Sequence, residues 1–300
     1  MTTEKRIWIT GCSGFLGTRL TTHLSAEGHS VVGLLRRGCS TATRSLTIDL
    51  SRAVSKNTLQ SLLEDDGTPD VVIHAAAKQP GPGELSAFLN SNVHAASNLV
   101  DVLSDFSPKL VIYTSTLSVY GQPLSLPVDE TKPAGGSLPY GATKRWAEQL
   151  FEKLQDRSRV VVLRLPSLYG VGQADSFVDG LARSAQRDQP IELFSRGELI
   201  RDALHVNDVV KAIDTCLELQ PEVGFFVLNL GCGRPIKTIE YAQQLVDALN
   251  SHSDIIPVDR RGSHFDLYAD IAEARRLLGF EPMSLADSMS VYANELRASS

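Results

Sequence analysis

The sequence lacks any long apolar run. Hydrophobic residues make up 42% of its 300 residues, but no stretch approaches the roughly 20 consecutive apolar residues of a transmembrane helix. Residues 1–6 are mostly polar and lead directly into an apolar segment typical of a strand, so they do not resemble the apolar region of a signal peptide. We therefore predict a soluble, cytoplasmic protein that does not bind membranes.

Cysteine is scarce and irregularly spaced. The four cysteines are Cys12, Cys39, Cys216 and Cys232, and none of them forms a CxxC pair. Zinc sites and disulfide frameworks depend on closely spaced or regularly paired cysteines, so we predict reduced thiols and no metal site. A thiol next to a helix N-terminus is more reactive than an ordinary one, which makes Cys12 the cysteine of most interest.

Positive charge is in the minority. The chain has 29 Lys and Arg residues against 35 Asp and Glu residues, a formal net charge of −6. General binding to nucleic acid or anionic lipid needs a positive surface, so neither partner is expected. The length allows one large or two modest domains with a sizeable core, and we expect a small molecule as the substrate.

A glycine turn joins the first apolar run to the first helical pattern. The run starts at Ile7 and breaks at Gly11, and further glycines follow at Gly14 and Gly17. A helix N-terminus offers unpaired N–H groups, and glycines let a pyrophosphate approach the backbone. The alternative interpretation is a tight turn without a ligand. The residues predicted to bind a dinucleotide here are Gly11, Gly14, Phe15, Leu16 and Gly17.

Apolar runs alternate with helical patterns through the first half of the chain. This alternation predicts an α/β fold, a Rossmann-type doubly wound parallel sheet, over residues 1–166. Residues 167–300 are predicted to form mainly a smaller C-terminal substrate-binding α/β part, with a segment at about 203–230 returning to the first domain. Strands are expected near 7–10, 30–35, 45–50, 70–77, 109–116 and 160–165, and long helices at 84–106 and 140–155.

Residues at the ends of these strands are candidates for cofactor contacts. Arg36 follows the second strand, where an acidic residue would bind a free ribose 2′-hydroxyl and arginine suits a 2′-phosphate. We therefore predict NADP as the cofactor, with NAD as the alternative. The other interpretation of Arg36 is that it belongs to a solvated loop and contacts no cofactor. His74 ends the fourth strand and is predicted to be structural rather than catalytic. Further contacts are predicted at Asp49, Leu50, Ala75, Ala76 and Ala77.

Three residues carry the pattern of a hydride-transfer site. Thr116 ends the hydroxyl-rich fifth strand, and Tyr140 and Lys144 are spaced to share one helix face. Hydride transfer at a carbinol carbon requires an acid or base at the oxygen. The reference pKa of tyrosine is about 10, and a nearby lysine ammonium together with an oxidised nicotinamide would favour the phenolate.

The glycine turn, the hydroxyl cluster and the Tyr140/Lys144 pair together resemble the extended short-chain dehydrogenase/reductase family, specifically its nucleotide-sugar branch of epimerases, dehydratases and reductases. The resemblance covers nearly the whole chain. It implies that Tyr140 is the acid/base, that Lys144 lowers the pKa of Tyr140 and holds the nicotinamide ribose, and that Thr116 hydrogen bonds the substrate oxygen. It adds three cofactor contacts, Asn92, Pro166 and Ser167, and three substrate contacts, Ser118, Arg201 and Arg260.

One departure from the family pattern narrows the choice of reaction. Sugar 4,6-dehydratases have an Asp-Glu pair where this chain has Leu117 and Ser118, so dehydration is not expected. We predict an NAD(P)-dependent oxidoreductase that transfers hydride at a sugar carbinol or keto group of a nucleoside-diphosphate sugar, as an epimerase or a 4-ketoreductase. The alternatives are an NADPH-dependent reductase of a non-sugar ketone or aldehyde and a catalytically silent dinucleotide sensor. By analogy, we expect a homodimer formed through the helices at 84–106 and 140–155.

Overall fold

A computed structural model describes residues 3–36, 42, 44–52, 67–136, 139–174, 176–220, 222–260 and 265–299. Its strands are β1 (Arg6–Thr10), β2 (Ser30–Leu35), β3 (Arg44–Thr47), β4 (Val71–His74), β5 (Leu110–Thr116), β6 (Arg159–Leu165), β7 (Ser167–Tyr169), β8 (Ile191–Leu193), β9 (Ala203–His205), β10 (Gly224–Asn229) and β11 (Ile255–Pro257).

The first helix is α1 (Phe15–Ala26). The second, α2, runs through three consecutive segments: an α-helical turn (Leu85–Phe88), a π-helical turn (Leu89–His94) and a longer α-helix (Ala95–Phe106). The others are α3 (Tyr140–Glu152), α4 (Phe177–Ala185), α5 (Val206–Leu217), α6 (Thr238–Leu249), α7 (Ala272–Leu278) and α8 (Leu285–Ser299). None of the helices described is long and apolar enough to cross a membrane.

Among the described residues, seven strands form one central parallel sheet, in the order β10-β6-β5-β4-β1-β2-β3. The chain leaves β1 toward β2 and β3, then returns to the other side of β1 to form β4, β5 and β6. The strand order therefore reverses between β1 and β4, where open α/β sheets bind their ligands beyond the carboxyl ends of the strands. The predicted α/β, doubly wound fold is confirmed.

Helices α2 and α3 share a hydrophobic core with the sheet. Ala96, Leu99 and Leu103 recur at helical spacing on α2 and are at most 1% exposed. They belong to a cluster with Trp8 of β1 and Phe151 of α3, both fully buried. This packing holds α3 against the sheet.

The chain forms two compact units. The first comprises Met1–Gly121, Pro133–Arg164 and Val210–Leu228, and the second comprises Gln122–Lys132, Leu165–Val209 and Asn229–Ser300. The second unit has its own apolar core, in which Tyr241, Met289 and Tyr292 are fully buried. Two small two-stranded sheets, β7 with β9 and β8 with β11, belong to it.

Two elements differ from the expectation drawn from periodicity. Strand β3 ends at Thr47, so Asp49 and Leu50 follow the strand instead of ending it. The helix predicted at 84–106 contains the π-helical turn Leu89–His94, which periodicity does not distinguish from an α-helical turn. Such turns are rare and occur frequently at functional sites.

Candidate active site

The glycine turn after β1 can only be made by glycines at two of its positions. Gly11 has a φ of +71°, in the left-handed region, and a Cβ atom at Gly17 would lie 2.0 Å from the Gly11 carbonyl oxygen. The Gly14 N–H donates to that same oxygen at 2.9 Å. Gly14 caps α1 and no side chain caps the helix, which leaves N–H groups of the first turn, at Phe15 and Leu16, for an anion. The turn therefore fits the pyrophosphate of a dinucleotide.

The end of β4 lies directly against this turn. A Cβ atom at Gly11 would lie 2.7 Å from the Ala76 nitrogen, so the backbone of Ala75 and Ala76 is in close contact with it, and Ala77 follows. The Ala76 N–H donates to the Thr10 hydroxyl oxygen at 3.2 Å. The predicted alanine contacts and the glycine turn thus form one continuous backbone surface.

His74 is buried beneath this surface. Its Nδ1 atom and the Thr10 hydroxyl are hydrogen bonded at 2.8 Å. Burial, together with the charge of Lys144, lowers the pKa of His74 to about 3, so the imidazole is neutral at physiological pH. These observations agree with the structural interpretation of His74.

The predicted adenosine contacts lie just after β2 and β3. Arg36 directly follows β2 and is exposed. The Asp49 carboxylate accepts hydrogen bonds from the Ser51 hydroxyl and backbone N–H, at 2.6 and 3.1 Å, and these bonds help to lower its pKa. Leu50 is 6% exposed and packs into the core of the first unit, and its carbonyl oxygen accepts a hydrogen bond of 2.7 Å from the Asn98 side-chain amide, so its side chain is not available to a ligand.

Thr116, Ser118 and Tyr140 come together although they lie on separate elements. The Thr116 side chain lies close enough to the Tyr140 hydroxyl to lower its pKa, and it accepts a hydrogen bond of 3.1 Å from the Ser118 N–H. A Cβ atom at Gly141 would lie 2.2 Å from the Ser118 carbonyl oxygen, so glycine is what allows α3 to begin this close to the end of β5. The contact places the start of α3 beside the backbone of Ser118.

Lys144 is buried one helical turn after Tyr140. Its Nζ atom donates to the Thr114 carbonyl oxygen at 2.6 Å and lies 4.3 Å from the centre of the Tyr113 ring. Burial lowers the pKa of Lys144 to about 7, although the Glu148 carboxylate opposes that change. Lys144 is only 2% exposed, so its side chain is held in one place.

The pKa of Tyr140 does not follow the expectation from the Tyr140/Lys144 spacing. Burial raises it to about 12, and the hydrogen bond with Thr116 offsets only part of that rise. In the protein chain by itself, desolvation of the phenolate is therefore the dominant influence on Tyr140. Forming the phenolate near neutral pH requires further positive charge, which an oxidised nicotinamide carries.

Asn92 connects the π-helical turn of α2 to the start of α3. Its side-chain carbonyl accepts from the Lys78 N–H at 2.8 Å, and its amide donates to the Thr143 hydroxyl at 3.0 Å. Asn92 is 1% exposed. Through these two bonds its side chain joins the loop after β4 to the helix that carries Tyr140 and Lys144.

A buried ion pair next to Lys144 was not predicted from the sequence. The Glu148 carboxylate accepts two hydrogen bonds from the Arg164 guanidinium, at 2.8 and 3.1 Å, and one from the Ser115 hydroxyl at 2.5 Å. The signal was present, since Tyr140, Lys144 and Glu148 are each four residues apart on one helix face.

The remaining predicted residues lie in the second unit. Pro166 precedes β7, and Ser167 pairs with Ala203 of β9. The Arg201 guanidinium lies 5.1 Å from the centre of the Phe177 ring, and burial lowers its pKa. Arg260 is exposed, with its guanidinium 5.3 Å from the centre of the Phe194 ring.

The chain is similar to known nucleotide-sugar enzymes. It is 28% identical over 311 residues to UDP-glucuronate 4-epimerase of Thermodesulfobacterium geofontis, an alignment covering 91% of this chain and 90% of the relative. A solved structure of MoeE5 in complex with UDP-glucose and NAD has a TM-score of 0.83 and 28% identity, covering 98% of this chain and 99% of the other. UDP-glucose 4-epimerase of Thermotoga maritima shares the fold, with a TM-score of 0.85 and 22% identity over 98% of this chain and 99% of the other.

The family model of the NAD dependent epimerase/dehydratase family matches residues 7–231, well over half of the chain. That range runs from the first strand, through the glycine turn and the Tyr140/Lys144 helix, to the end of β10. The chain belongs to the NAD dependent epimerase/dehydratase family, and with that membership the predicted enzyme class, an NAD(P)-dependent epimerase or reductase of the extended short-chain dehydrogenase type, is confirmed.

Proposed function

We propose that the protein is a 4-epimerase of a UDP-sugar that keeps its NAD through the catalytic cycle. The observation that carries the proposal is that the Thr116 side chain lies close enough to the Tyr140 hydroxyl to lower its pKa, with Lys144 buried one turn further along the same helix. This arrangement suits proton transfer at a carbinol oxygen. The similarity to UDP-glucuronate 4-epimerase supports the choice of reaction.

In this proposal, the chain's own residues manage the proton. Tyr140 takes the proton from the sugar hydroxyl as the carbon is oxidised and returns it when the carbon is reduced. Thr116 holds the sugar oxygen by a hydrogen bond, and Lys144 places a positive charge near the phenol. When bound, the nicotinamide supplies the hydride acceptor and a further positive charge. Inversion requires that the hydride leave one face of the carbon and return to the other.

The two units have different proposed tasks. The first holds the dinucleotide through the glycine turn, the alanines after β4 and Asn92. Pro166 and Ser167 keep the role that the family resemblance assigns to them, at the carboxamide. The second binds the nucleotide sugar, with Arg201 and Arg260 on the diphosphate, because a guanidinium can donate two hydrogen bonds to a phosphate. Ser118 is assigned to the sugar. The cytoplasmic location stays a prediction.

A second candidate function is an NADPH-dependent 4-ketoreductase. Arg36 favours it, because this exposed arginine directly follows β2, where a 2′-phosphate would be bound. A reductase must exchange its cofactor at every turnover, whereas an epimerase regenerates it in place. Native mass spectrometry of the gently purified protein, followed by titration with NADH and NADPH, distinguishes the two. Retained NAD supports the epimerase; an empty protein that binds NADPH much more tightly supports the reductase.

The direct test of the mechanism is the Tyr140→Phe variant assayed with UDP-glucuronate and UDP-glucose. General acid–base catalysis contributes about 10²- to 10⁴-fold, so we expect kcat to fall by about that factor. The thermal unfolding midpoint should stay close to that of the wild type. Near-normal turnover by the variant would contradict the proposed role of Tyr140.

We also propose a homodimer formed through α2 and α3. Trp146 of α3 is 53% exposed and Leu85 of α2 is 48% exposed, which is unusual for side chains of their size and favours burial against a partner. Light scattering coupled to size-exclusion chromatography should give twice the chain mass for the wild type and the chain mass for Trp146→Glu. A wild-type monomer would contradict the proposal.

A further inference from the structure

Three side chains form a row across the sheet beneath α3. Thr10 of β1 is in register with His74 of β4, and His74 is in register with Tyr113 of β5, so all three point to the same face of the parallel sheet. The His74 and Tyr113 rings stack with their centres 5.6 Å apart. From α3, Phe151 stacks on Tyr113 at 4.8 Å. The Tyr113 ring is therefore fixed by neighbours on a strand and on a helix.

The Lys144 ammonium lies against this fixed ring. Its Nζ atom is 4.3 Å from the ring centre, within the range of a cation–π interaction. In the part of the chain that the structure describes, Thr114 O is the only hydrogen-bond acceptor of Nζ, whereas an ammonium group has three hydrogens to donate. The ring face is thus a second source of negative potential for a cation that has lost nearly all of its water.

Other charged and titratable groups also lie around Lys144. On α3 these are Tyr140 and Glu148, and on β4 the neutral His74. Glu148 raises the pKa of Lys144, but its carboxylate is bound by Arg164 of β6 at 2.8 Å and by Arg145 of α3 at 2.9 Å. This carboxylate is thus also the counter-charge of two guanidinium groups.

The hydroxyl group of Tyr113 does not explain the position of the ring. It is buried, and no hydrogen-bond partner for it exists among the residues described. Burial raises the pKa of Tyr113 well above its ordinary value, so the phenol stays neutral. We propose that Tyr113 is a positioning residue whose ring face holds the Lys144 side chain in place and in its charged form. Its importance for catalysis rests on the proposed function, in which Lys144 acts on Tyr140.

Fluorinated phenylalanines provide the test, because fluorine withdraws the negative potential of the ring face with little change in shape. Phe, 4-fluoro-Phe, 3,5-difluoro-Phe and pentafluoro-Phe are introduced at position 113 of the full chain. The pKa of Lys144 is read from the ¹³Cε signal of labelled lysine, assigned with Lys144→Arg. We expect Tyr113→Phe to match the wild type and the pKa to fall stepwise, by about one unit at pentafluoro-Phe.

Phe151 is the matched control. It stacks on the Tyr113 ring, and fluorination at position 151 changes the same aromatic cluster but leaves the chemical structure of the ring that faces Nζ unaltered. The pKa of Lys144 should stay constant in that series, and the thermal unfolding midpoints of both series should be similar. A Lys144 pKa that is independent of fluorination at 113, or that responds equally to fluorination at 151, would overturn the proposal.

Kinetics with UDP-glucuronate and NAD connects the interaction to catalysis. If Lys144 must be charged, kcat declines as the pH rises through its pKa, and fluorination at 113 should move this decline to lower pH by the same shift seen by NMR. A stepwise NMR shift in a protein that turns over no UDP-sugar would support the Tyr113–Lys144 interaction and count against the proposed function. Normal turnover with no NMR shift would support the proposed function and contradict the Tyr113–Lys144 interaction.

Discussion

The side-chain amide of Asn92 donates a 3.0 Å hydrogen bond to the hydroxyl of Thr143, the residue immediately before Lys144. The same side chain accepts a bond from the Lys78 N–H at 2.8 Å, in the loop that follows β4. Asn92 lies in the π-helical turn of α2. It thus links the candidate cofactor surface to the helix that carries the candidate acid/base.

Replacing Asn92 with leucine should affect both stability and turnover. The change leaves the Lys78 N–H without its partner, which costs about 1–3 kcal/mol of unfolding free energy. It also frees the first turn of α3, so we expect a lower kcat. Urea unfolding and steady-state kinetics measure the two effects. Asn98→Leu, which removes hydrogen bonds to Leu50 and Arg52 from the same helix, should lower stability but not kcat at saturating cofactor. Equal loss of kcat in both variants would contradict a specific role for Asn92.

Substituting alanine for Gly17 should abolish dinucleotide binding. The added Cβ atom would lie 2.0 Å from the Gly11 carbonyl oxygen, which is backbone and cannot move without opening the turn. Isothermal titration with NAD and NADP gives the loss of affinity. The control is Gly180→Ala, where a Cβ atom meets nothing within 4 Å and α4 gains a better helix former. Wild-type affinity in Gly17→Ala would show that this turn does not hold the cofactor.

The buried ion pair between Glu148 and Arg164 should tolerate removal of both partners better than removal of one. Arg164 is 3% exposed, so Glu148→Gln leaves a buried guanidinium without its counter-charge, at a cost of about 3–5 kcal/mol of unfolding free energy. The double variant Glu148→Leu, Arg164→Met should regain much of that loss. Urea unfolding tests this, with the exposed pair Glu273 and Arg276 as a control that should change stability little. A double variant no more stable than Glu148→Gln would contradict the expectation.

Asp202 in the second unit should make stability depend on pH. Its carboxylate accepts hydrogen bonds from the Cys232 and Ala269 N–H groups, at 2.8 and 3.0 Å, yet burial raises its pKa from 3.8 to about 6. The folded protein therefore binds this proton more tightly than the unfolded chain does. The resulting stabilisation is present at low pH and is lost as the pH rises toward 6.

The measurement compares the wild type with Asp202→Asn, which does not titrate. Between about pH 4 and pH 7, the unfolding free energy of the wild type should fall relative to the variant by about 2 kcal/mol. Urea unfolding at several pH values gives this difference directly. A difference that stays constant, or that grows in favour of the wild type as the pH rises, would contradict the burial effect.

The sequence alone determined the features that depend on local spacing. These features are encoded by residues close together in the chain. They are the glycine turn at Gly11, Gly14 and Gly17, the Tyr140/Lys144 pair and the alternation of strand and helix. They were sufficient to predict the doubly wound sheet and the family, because turns, helix faces and strand periodicity repeat over a few residues.

Only the tertiary structure decided how groups distant in the chain affect one another. The Glu148–Arg164 pair, the row of Thr10, His74 and Tyr113, and the core position of the Leu50 side chain depend on which strands are neighbours and in what register. The pKa of Tyr140 is the clearest case. Spacing to Lys144 predicts a lower value, but the cost of desolvation depends on everything packed around the hydroxyl, and in the folded chain burial raises the pKa to about 12.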